Sequence, residues 1–516
     1  MISDELVPRP GRRVLWRGLA AFVVVMLLTG VAVSKIGLNE LDRVRDVFRK
    51  AGGSSGIKLP DVTPAEAGKP QTIMLLGTDG RLGDDKAAGQ RSDTIILARL
   101  NADKSAITLM SIPRDLKVTL PGSYGTDKIN AAFAIGGTSL TLKTVKKLLT
   151  RPGRPFKINH VVQINFTGFR ALVNYLNCTY VDVDRHYFND QGGPGGYAVI
   201  NIQPGYQKVC GNKALSYVRY RHTDNDLVRG ARQQDFLRQL LRGRTVRKKL
   251  SFSHRDDLAR IAGRFTRTDD SLAKSDAAIL SLLKLGLGVA DKPVQQVTFG
   301  AGQIQDDGDY LVASDSAIDE TLDQFLHPKT VTAETERKAP TDTPARRAKK
   351  KRGNDGVPSG LVNVASAGED MAIAVHRRLK FPFYYPKLGY STSSYSTAVS
   401  SDRQPRVYAI RANGRRYQAY RMVVSLGSSS IGQYYGIQGT AWRTSDAEGG
   451  PPILDGPHDT IVKDGRKLGV YYDGKEVRLV SWETRRGTYW ISNTLTRNLD
   501  YTRIVAIARS LTRIGA

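Results

Sequence analysis

Residues 72–76, Thr-Ile-Met-Leu-Leu, form an unbroken apolar run closed by Gly77, which predicts a buried strand. Residues 92–100 predict a second strand, and 106–112 a third that Pro113 stops. Helical spacing then runs from 131 to 149, with Leu140, Val145, Leu148 and Leu149 as apolar positions. A strand over 160–166 and a helix over 167–176 follow; 199–202, 214–219 and a long stretch over 229–249 complete this part. Alternating elements of these lengths predict an α/β (α+β) layered core, a central sheet flanked by helices. Further along, short strands are predicted at 406–411, 417–426, 469–472, 477–482 and 487–492, with a terminal helix over 503–511. That pattern predicts a smaller α+β accessory domain.

The chain has 516 residues, enough for two or three domains with real cores. Its 40% hydrophobic content excludes a globally disordered chain. Seventy-seven Lys and Arg against 49 Asp and Glu leave a formal charge of +28, which points to a polyanionic partner: phosphorylated substrate, anionic membrane or nucleic acid. No helix-turn-helix, zinc-finger or RNA-binding signature is present, so nucleic acid is not expected as a partner.

Punctuation divides the chain. Arg9, Arg12, Arg13 and Arg17 precede an uncharged apolar run over 18–33 that Lys35 closes. A spanning helix needs about 20 residues, and the flanking cations can snorkel to extend this one. The reading is therefore a cytoplasmic basic tail (1–17), an N-terminal transmembrane helix acting as signal anchor (18–35), and an exported remainder. The competing reading is a cleaved signal peptide, since Ala32-Val33-Ser34 loosely matches a small-residue cleavage site. Residues 36–69 read as a juxtamembrane tether, 70–328 as the larger folded domain, 329–359 as a basic flexible linker carrying Arg346-Arg347-Ala348-Lys349-Lys350-Lys351-Arg352, and 360–516 as the accessory domain. The accessory part carries no metal, nucleophile or phosphate-loop motif and reads as a noncatalytic module. Its Tyr417, Tyr420, Trp442, Tyr471, Trp482 and Trp490 suit either sugar stacking or ordinary packing. Export permits a disulfide between Cys178 and Cys210, the two cysteines of the chain; two separate buried thiols are the alternative.

Candidate chemistry gathers at strand ends. Asp79 follows the first strand and Asp93 begins the second. If those strands are neighbours, the two carboxylates approach one point and suit Mg2+ (or Mn2+), although each could equally cap a turn. Arg114 follows the third strand. Arg219 and Arg221 alternate, so on a strand they share a face, while Arg229 and Arg232 lie one helical turn apart. Guanidinium forks grip phosphate oxygens two at a time, and an array of them fits a polyphosphate better than isolated surface ion pairs do.

Gly77-Thr78-Asp79-x-Arg81, Arg91-Ser92-Asp93-Thr94, Ser111-Ile112-Pro113-Arg114-Asp115, Lys128-Ile129-Asn130-Ala131-Ala132-Phe133 and Arg219-x-Arg221 through Arg232-Gln233 occur in that order. Over residues 70–250 the chain resembles the LytR-CpsA-Psr family of cell-wall glycopolymer ligases. The resemblance implies an LCP-type α/β core and a membrane-anchored phosphotransferase. Its donor would be a glycopolymer on a polyprenyl diphosphate, its acceptor a peptidoglycan sugar hydroxyl. It also implies metal-associated Asp79 and Asp93, and a diphosphate grip from Arg114, Arg219, Arg221 and Arg229, with Arg81, Arg232 and Gln233 as flanking positions. Asp93 and Asp115 are the candidate bases. Phe133, Leu148, Phe169, Leu172 and Leu176 could line a polyprenyl slot, although their spacing equally suits a core. A diphosphate hydrolase, an envelope-linked transcriptional regulator and a catalytically silent scaffold are the alternatives.

Overall fold

The computed structural model describes residues 56–66, 69–78, 92–101, 107–191, 199–220, 226–242, 266–274, 294–328, 357–395, 405–427, 433–463, 465–473 and 476–515. Two compact units emerge. The first holds residues up to Thr179, Tyr187–Asn201 and Val209–Pro328; the second holds Tyr180–His186, Ile202–Lys208 and the chain from Lys329 onward. The candidate membrane span over 18–35 lies outside the described residues. Among those described, no helix is long and apolar enough to cross a membrane.

In chain order the first part carries β1 (Gln71–Thr78), β2 (Ser92–Leu100), β3 (Ile107–Ile112), β4 (Lys117–Thr119), β5 (Thr126–Lys128), α1 (Ala131–Leu149), β6 (His160–Ile164) and α2 (Phe166–Tyr175). Next come β7 (Thr179–Val183), β8 (Tyr187–Asn189), β9 (Ile200–Ile202), β10 (Gly205–Val209), α3 (Gly211–Arg219), α4 (Asp226–Arg242), β11 (Thr266–Thr268) and α5 (Asp270–Lys274). β12 (Val294–Thr298), β13 (Gln305–Asp307), β14 (Tyr310–Val312) and α6 (Asp315–Leu326) close it.

The central sheet has the order β11-β6-β1-β2-β3-β12. β1 is buried at all eight positions, as its apolar run requires of a central strand covered on both faces. Alternation sends Met74, Leu76, Leu97, Met110 and Val161 to one face, where they pack with Phe133, Leu142 and Val145 of α1 and Ile318, Leu322 and Phe325 of α6. α4 covers part of the opposite face, against β3 and β12. Gly230 permits that approach: a Cβ there would sit 3.1 Å from Ser111 Oγ. α1 breaks at Gly136 and Gly137, where Gly137 takes φ 60°.

The structure corrects one element. Residues 214–219 belong to helix α3, not to a strand, so strand alternation does not place Arg219 and Arg221 on one face. Tyr217 and Val218 are buried in succession, and Ala214, Leu215 and Val218 recur at helical spacing. Asn174 starts the helix by accepting the Gly211 N–H at 2.9 Å.

At the other end of the sheet, Asp269 ties β11 and α5 to β6. Its carboxylate accepts from Val161 N (2.9 Å), Ser271 N (3.0 Å) and Leu272 N (3.2 Å), with His160 Nδ1 at 3.6 Å. Ile57, within the stretch read as tether, is buried and bridges Asp269. Burial alone would raise the Asp269 carboxyl, but hydrogen bonds and charge from His160, then Ser271 and Val161, outweigh it and hold the group below its usual value. A depressed folded-state pKa contributes stability above the ordinary carboxylate value of about 3.9 and loses it as pH falls through the folded value. Denaturant midpoints measured from pH 5 down to pH 2 should therefore fall more steeply for the parent chain than for Asp269→Asn. Parallel curves would refute the assignment.

The second unit contains β15 (Leu361–Asn363), α7 (Ala365–Val375), β16 (Phe383–Tyr385), β17 (Leu388–Tyr390), β18 (Ser394–Tyr395), β19 (Arg406–Ala412), β20 (Arg415–Ser425) and β21 (Tyr434–Thr440). β22 (Asp459–Lys463), β23 (Arg466–Asp473), β24 (Glu476–Thr484), β25 (Gly487–Ser492), α8 (Tyr501–Ser510) and β26 (Thr512–Ile514) follow. Its large sheet runs β18-β20-β21-β25-β24-β23-β22, with β19 also paired to β20. Tyr420, Met422 and Val424 pack with α7 and α8 on one face, in a core that includes Trp482. Ala419, Trp442, Tyr471 and Trp490 form a second core with Tyr206. Tyr417 stacks on Trp442 at 5.4 Å. These aromatics form packed cores, which accounts for them without sugar stacking.

Candidate functional site

Strand direction decides where the chemistry collects. β1 is parallel to β6 and β3 to β12, while β2 runs antiparallel to both β1 and β3. The C-terminal ends of β1, β3, β6 and β12 therefore share one end of the sheet with the start of β2. Ligands of open α/β sheets bind beyond such strand ends.

Asp93 stands at this end, in a register shift. Gly77 pairs with Thr94 and Thr78 with Ser92, leaving Asp93 as the extra residue of a bulge. Bulges re-aim side chains and recur beside active sites. Asp79 directly follows Thr78 in sequence; Asp79, Arg81 and Arg221 lie outside the described residues. Ser92 Oγ, Thr94 Oγ1 and Gln163 Oε1 are buried with no hydrogen-bond partner among the described residues, while Gln163 Nε2 donates to Thr78 Oγ1 at 3.0 Å. A polar glutamine in the apolar run His160-Val-Val-Gln-Ile was the sequence signal for Gln163, and it was missed. Among the described residues no group of three His, Cys, Asp or Glu converges. Ser92 Oγ, Thr94 Oγ1 and Gln163 Oε1 place hydroxyl and amide oxygens, the kind of donor Mg2+ or Mn2+ takes, at this end of the sheet.

Arg114 leaves the end of β3 nearly buried, the residue 9% exposed. Its Nε lies 3.3 Å from Asp115 Oδ2, and Asp115 Oδ1 is 3.7 Å from Lys128 Nζ. Asn130 N donates to Arg114 O at 3.2 Å, so the Lys128–Asn130 stretch backs this loop.

Arg219 ends α3 with its guanidinium 4.6 Å from the ring of Phe166, the residue that opens α2 just past β6. The Cys178–Cys210 disulfide, with Cα atoms 4.5 Å apart, fixes the start of α3 against the end of α2. Closing a loop of that length stabilises the fold by about 3–4 kcal/mol on an entropic model.

Arg229 and Gln233 lie on α4, both almost fully buried, one residue before and three after the Gly230 contact with Ser111. Cations in a helix's first turn oppose its dipole, and a bound anion reverses that cost. Arg232 differs. It is completely buried, its guanidinium 4.8 Å from the ring of Tyr187 and 5.9 Å from those of Tyr217 and Tyr220, and it donates to Tyr220 O. That enclosure suits holding the α3–α4 connection in place. Phe133, Phe169, Leu172 and Leu176 are buried and Leu148 partly so, as core residues are.

A family model described as the LytR_cpsA_psr family matches residues 46–326. The chain belongs to the LytR_cpsA_psr family. Curated relatives include the polyisoprenyl-teichoic acid–peptidoglycan teichoic acid transferase TagT of Bacillus subtilis (strain 168), 34% identical over 226 residues, covering 43% of this chain and 67% of that protein. The transferase TagU of Enterococcus faecalis (strain ATCC 700802 / V583) is 33% identical over 246 residues, covering 47% of this chain and 74% of that protein. Another relative, TagU of Bacillus cereus (strain ATCC 14579), is 31% identical, and the match spans 60% of its length. A solved structure titled as TagT bound to LIIa-WTA aligns at 27% identity and TM-score 0.38, covering 52% of this chain and 97% of that one. The family match ends with α6, so the part of the second unit from Lys329 onward lies outside it.

Proposed function

We propose that this chain transfers a glycopolymer from a polyprenyl diphosphate carrier to a peptidoglycan sugar hydroxyl. Residues 18–35 would anchor it in a bacterial cell membrane, with the N-terminus cytoplasmic and both units outside. One observation supports the reading most. Arg114, Arg219 and Arg229, from three separated stretches, sit on or directly after elements that meet one end of the sheet, where Asp93 lies near the start of β2. The relatives named as teichoic acid transferases supply the reaction class.

In this reading Arg114, Arg219, Arg221 and Arg229 hold the diphosphate, with Arg81 and Gln233 at its margin and Arg232 as a positioning residue. Asp79 and Asp93 would hold Mg2+ or Mn2+, which when bound adds positive charge at the phosphate oxygens. The acceptor hydroxyl oxygen bonds to the sugar-side phosphorus. The bond from that phosphorus to the bridging oxygen breaks, and the polyprenyl monophosphate leaves with the electron pair. Negative charge grows on oxygens that the guanidinium groups already face, so stabilisation requires little rearrangement. Both oxygens of Asp115 face cations, Arg114 and Lys128, which suits orienting Arg114. Asp93 is then the carboxylate left to take the hydroxyl proton.

The test uses the detergent-solubilised full chain with Mg2+, a lipid diphosphate-linked glycan and peptidoglycan fragments. A phosphodiester-linked glycan–peptidoglycan product with release of lipid monophosphate is expected. Lipid monophosphate without linked product would favour the hydrolase, and no phosphorus–oxygen cleavage would sink both. A C-terminal reporter fusion found in the cytoplasm would overturn the topology.

A further inference from the structure

β4 and β5 contain an arrangement that costs energy. Lys117 and Lys128 are direct cross-strand partners, and like charges placed so are destabilising. The structure shows what offsets this. Tyr310, at the start of β14, places its ring 5.1 Å from Lys117 Nζ and 5.7 Å from Lys128 Nζ, so one aromatic ring serves both ammonium groups. A carboxylate then accompanies each lysine: Asp307 Oδ2 lies 3.6 Å from Lys117, and Asp115 Oδ1 lies 3.7 Å from Lys128.

The backbone repeats the connection. Leu311 N donates to Asp115 O at 2.9 Å, and Leu116 forms a parallel bridge with Leu311. Ile129 N donates to Leu116 O at 2.9 Å. The β13–β14 hairpin, turning at Gly308 with φ 66°, therefore grips the loop carrying Arg114 and Asp115 from a point almost two hundred residues later.

We propose that Tyr310 is a positioning residue for the transfer reaction, acting through Lys128 and Asp115 to hold the Arg114 guanidinium toward the diphosphate. The ring attracts both ammonium groups and so offsets the repulsion between Lys117 and Lys128. Lys128 is thereby kept beside Asp115 Oδ1, and Asp115 Oδ2 stays on Arg114 Nε. Tyr310 itself touches no reacting atom. The inference rests on the transferase reading above, and it is tested partly without it.

Three substitutions, one pair of them also combined, decide it in the full chain. Tyr310→Leu removes the ring and should lower kcat for transfer roughly three- to tenfold, the fold-change to which an ordinary cation–π contact converts, with KM for the acceptor unchanged. Tyr310→Phe keeps the ring and should restore turnover, because the ring face and not the hydroxyl does the work. The third variant is Lys128→Met, combined with Tyr310→Leu in a double-mutant cycle on thermal unfolding, which reports the ring–ammonium contact with no substrate present. A Tm loss in the double variant smaller than the sum of the single losses is expected. Additive Tm losses, or a Tyr310→Phe chain as slow as Tyr310→Leu, would overturn the proposal. Clear coupling in a parent chain that cleaves no lipid diphosphate would instead overturn the transferase reading and leave the contact standing.

Discussion

Arg114→Ala is expected to lower glycopolymer transfer by about two to three orders of magnitude, the loss seen when one preorganised donor to a developing oxyanion is removed. The physical reason lies in how the residue is held. Asp115 pins one edge of the guanidinium and the backbone of Asn130 holds the loop beneath it, so the charge is in place before substrate arrives. Alanine deletes that charge and takes the Arg114–Asp115–Lys128 group from net +1 to neutral, so the attraction for the diphosphate at this point is lost. Arg114→Lys should recover only part of the rate, since a point charge replaces a two-pronged donor. The measurement is initial transfer rate at saturating lipid substrate, with thermal unfolding alongside. Parent-like turnover in Arg114→Ala would remove the residue from the site. A collapse of Tm in step with activity would assign it a structural role instead.

The largest expected effect on stability belongs to Asp182. Within the second unit its Oδ1 lies 2.8 Å from Arg421 Nη1, both side chains nearly devoid of solvent, and its Oδ2 accepts from Trp490 Nε1 at 3.1 Å. Gly436 makes room for the arginine: a Cβ there would come within 1.9 Å of Arg421 Cζ. Removing one member of a buried ion pair strands the other charge, at a cost of about 3–5 kcal/mol. Asp182→Ala should therefore lower the unfolding free energy of the second unit by that amount, read as a fall in its denaturant midpoint by tryptophan fluorescence. Asp182→Leu combined with Arg421→Met should recover most of the loss, since two apolar side chains need no counter-charge. An unchanged midpoint in Asp182→Ala would show that the pair is dispensable.

The position of Asp182 is instructive about reading chains linearly. It lies in the middle of the catalytic stretch by sequence, yet Tyr180–His186 and Ile202–Lys208 group with the C-terminal unit. Tyr180 and Tyr206 stack at 5.4 Å, and Tyr206 enters the same core as Trp442 and Trp490. No composition shift marks residue 180 or 208, because a strand pair that joins another core needs the same alternation as one that stays at home. The α3 helix was misjudged for a related reason. Tyr217-Val218-Arg219-Tyr220-Arg221 alternates by eye, but the Asn174 contact and the Cys210 bridge start a helix there before alternation has any say.

What the sequence determined by itself was whatever depends on neighbours in the chain. The apolar runs of β1, β2, β3 and β6 exclude water on both faces wherever they are placed, so they had to become the sheet. The ordered motifs carrying Asp79, Asp93, Arg114 and Arg219 identified the family before any coordinate was known. Tertiary structure alone decided which of these positions meet. Strand order put Thr78 opposite Ser92, and Gly230 let α4 approach β3. It also brought Tyr310 beneath two lysines far earlier in the chain. Contacts between distant segments follow from how whole faces bury one another, and that information is spread over the entire fold instead of residing at any single position.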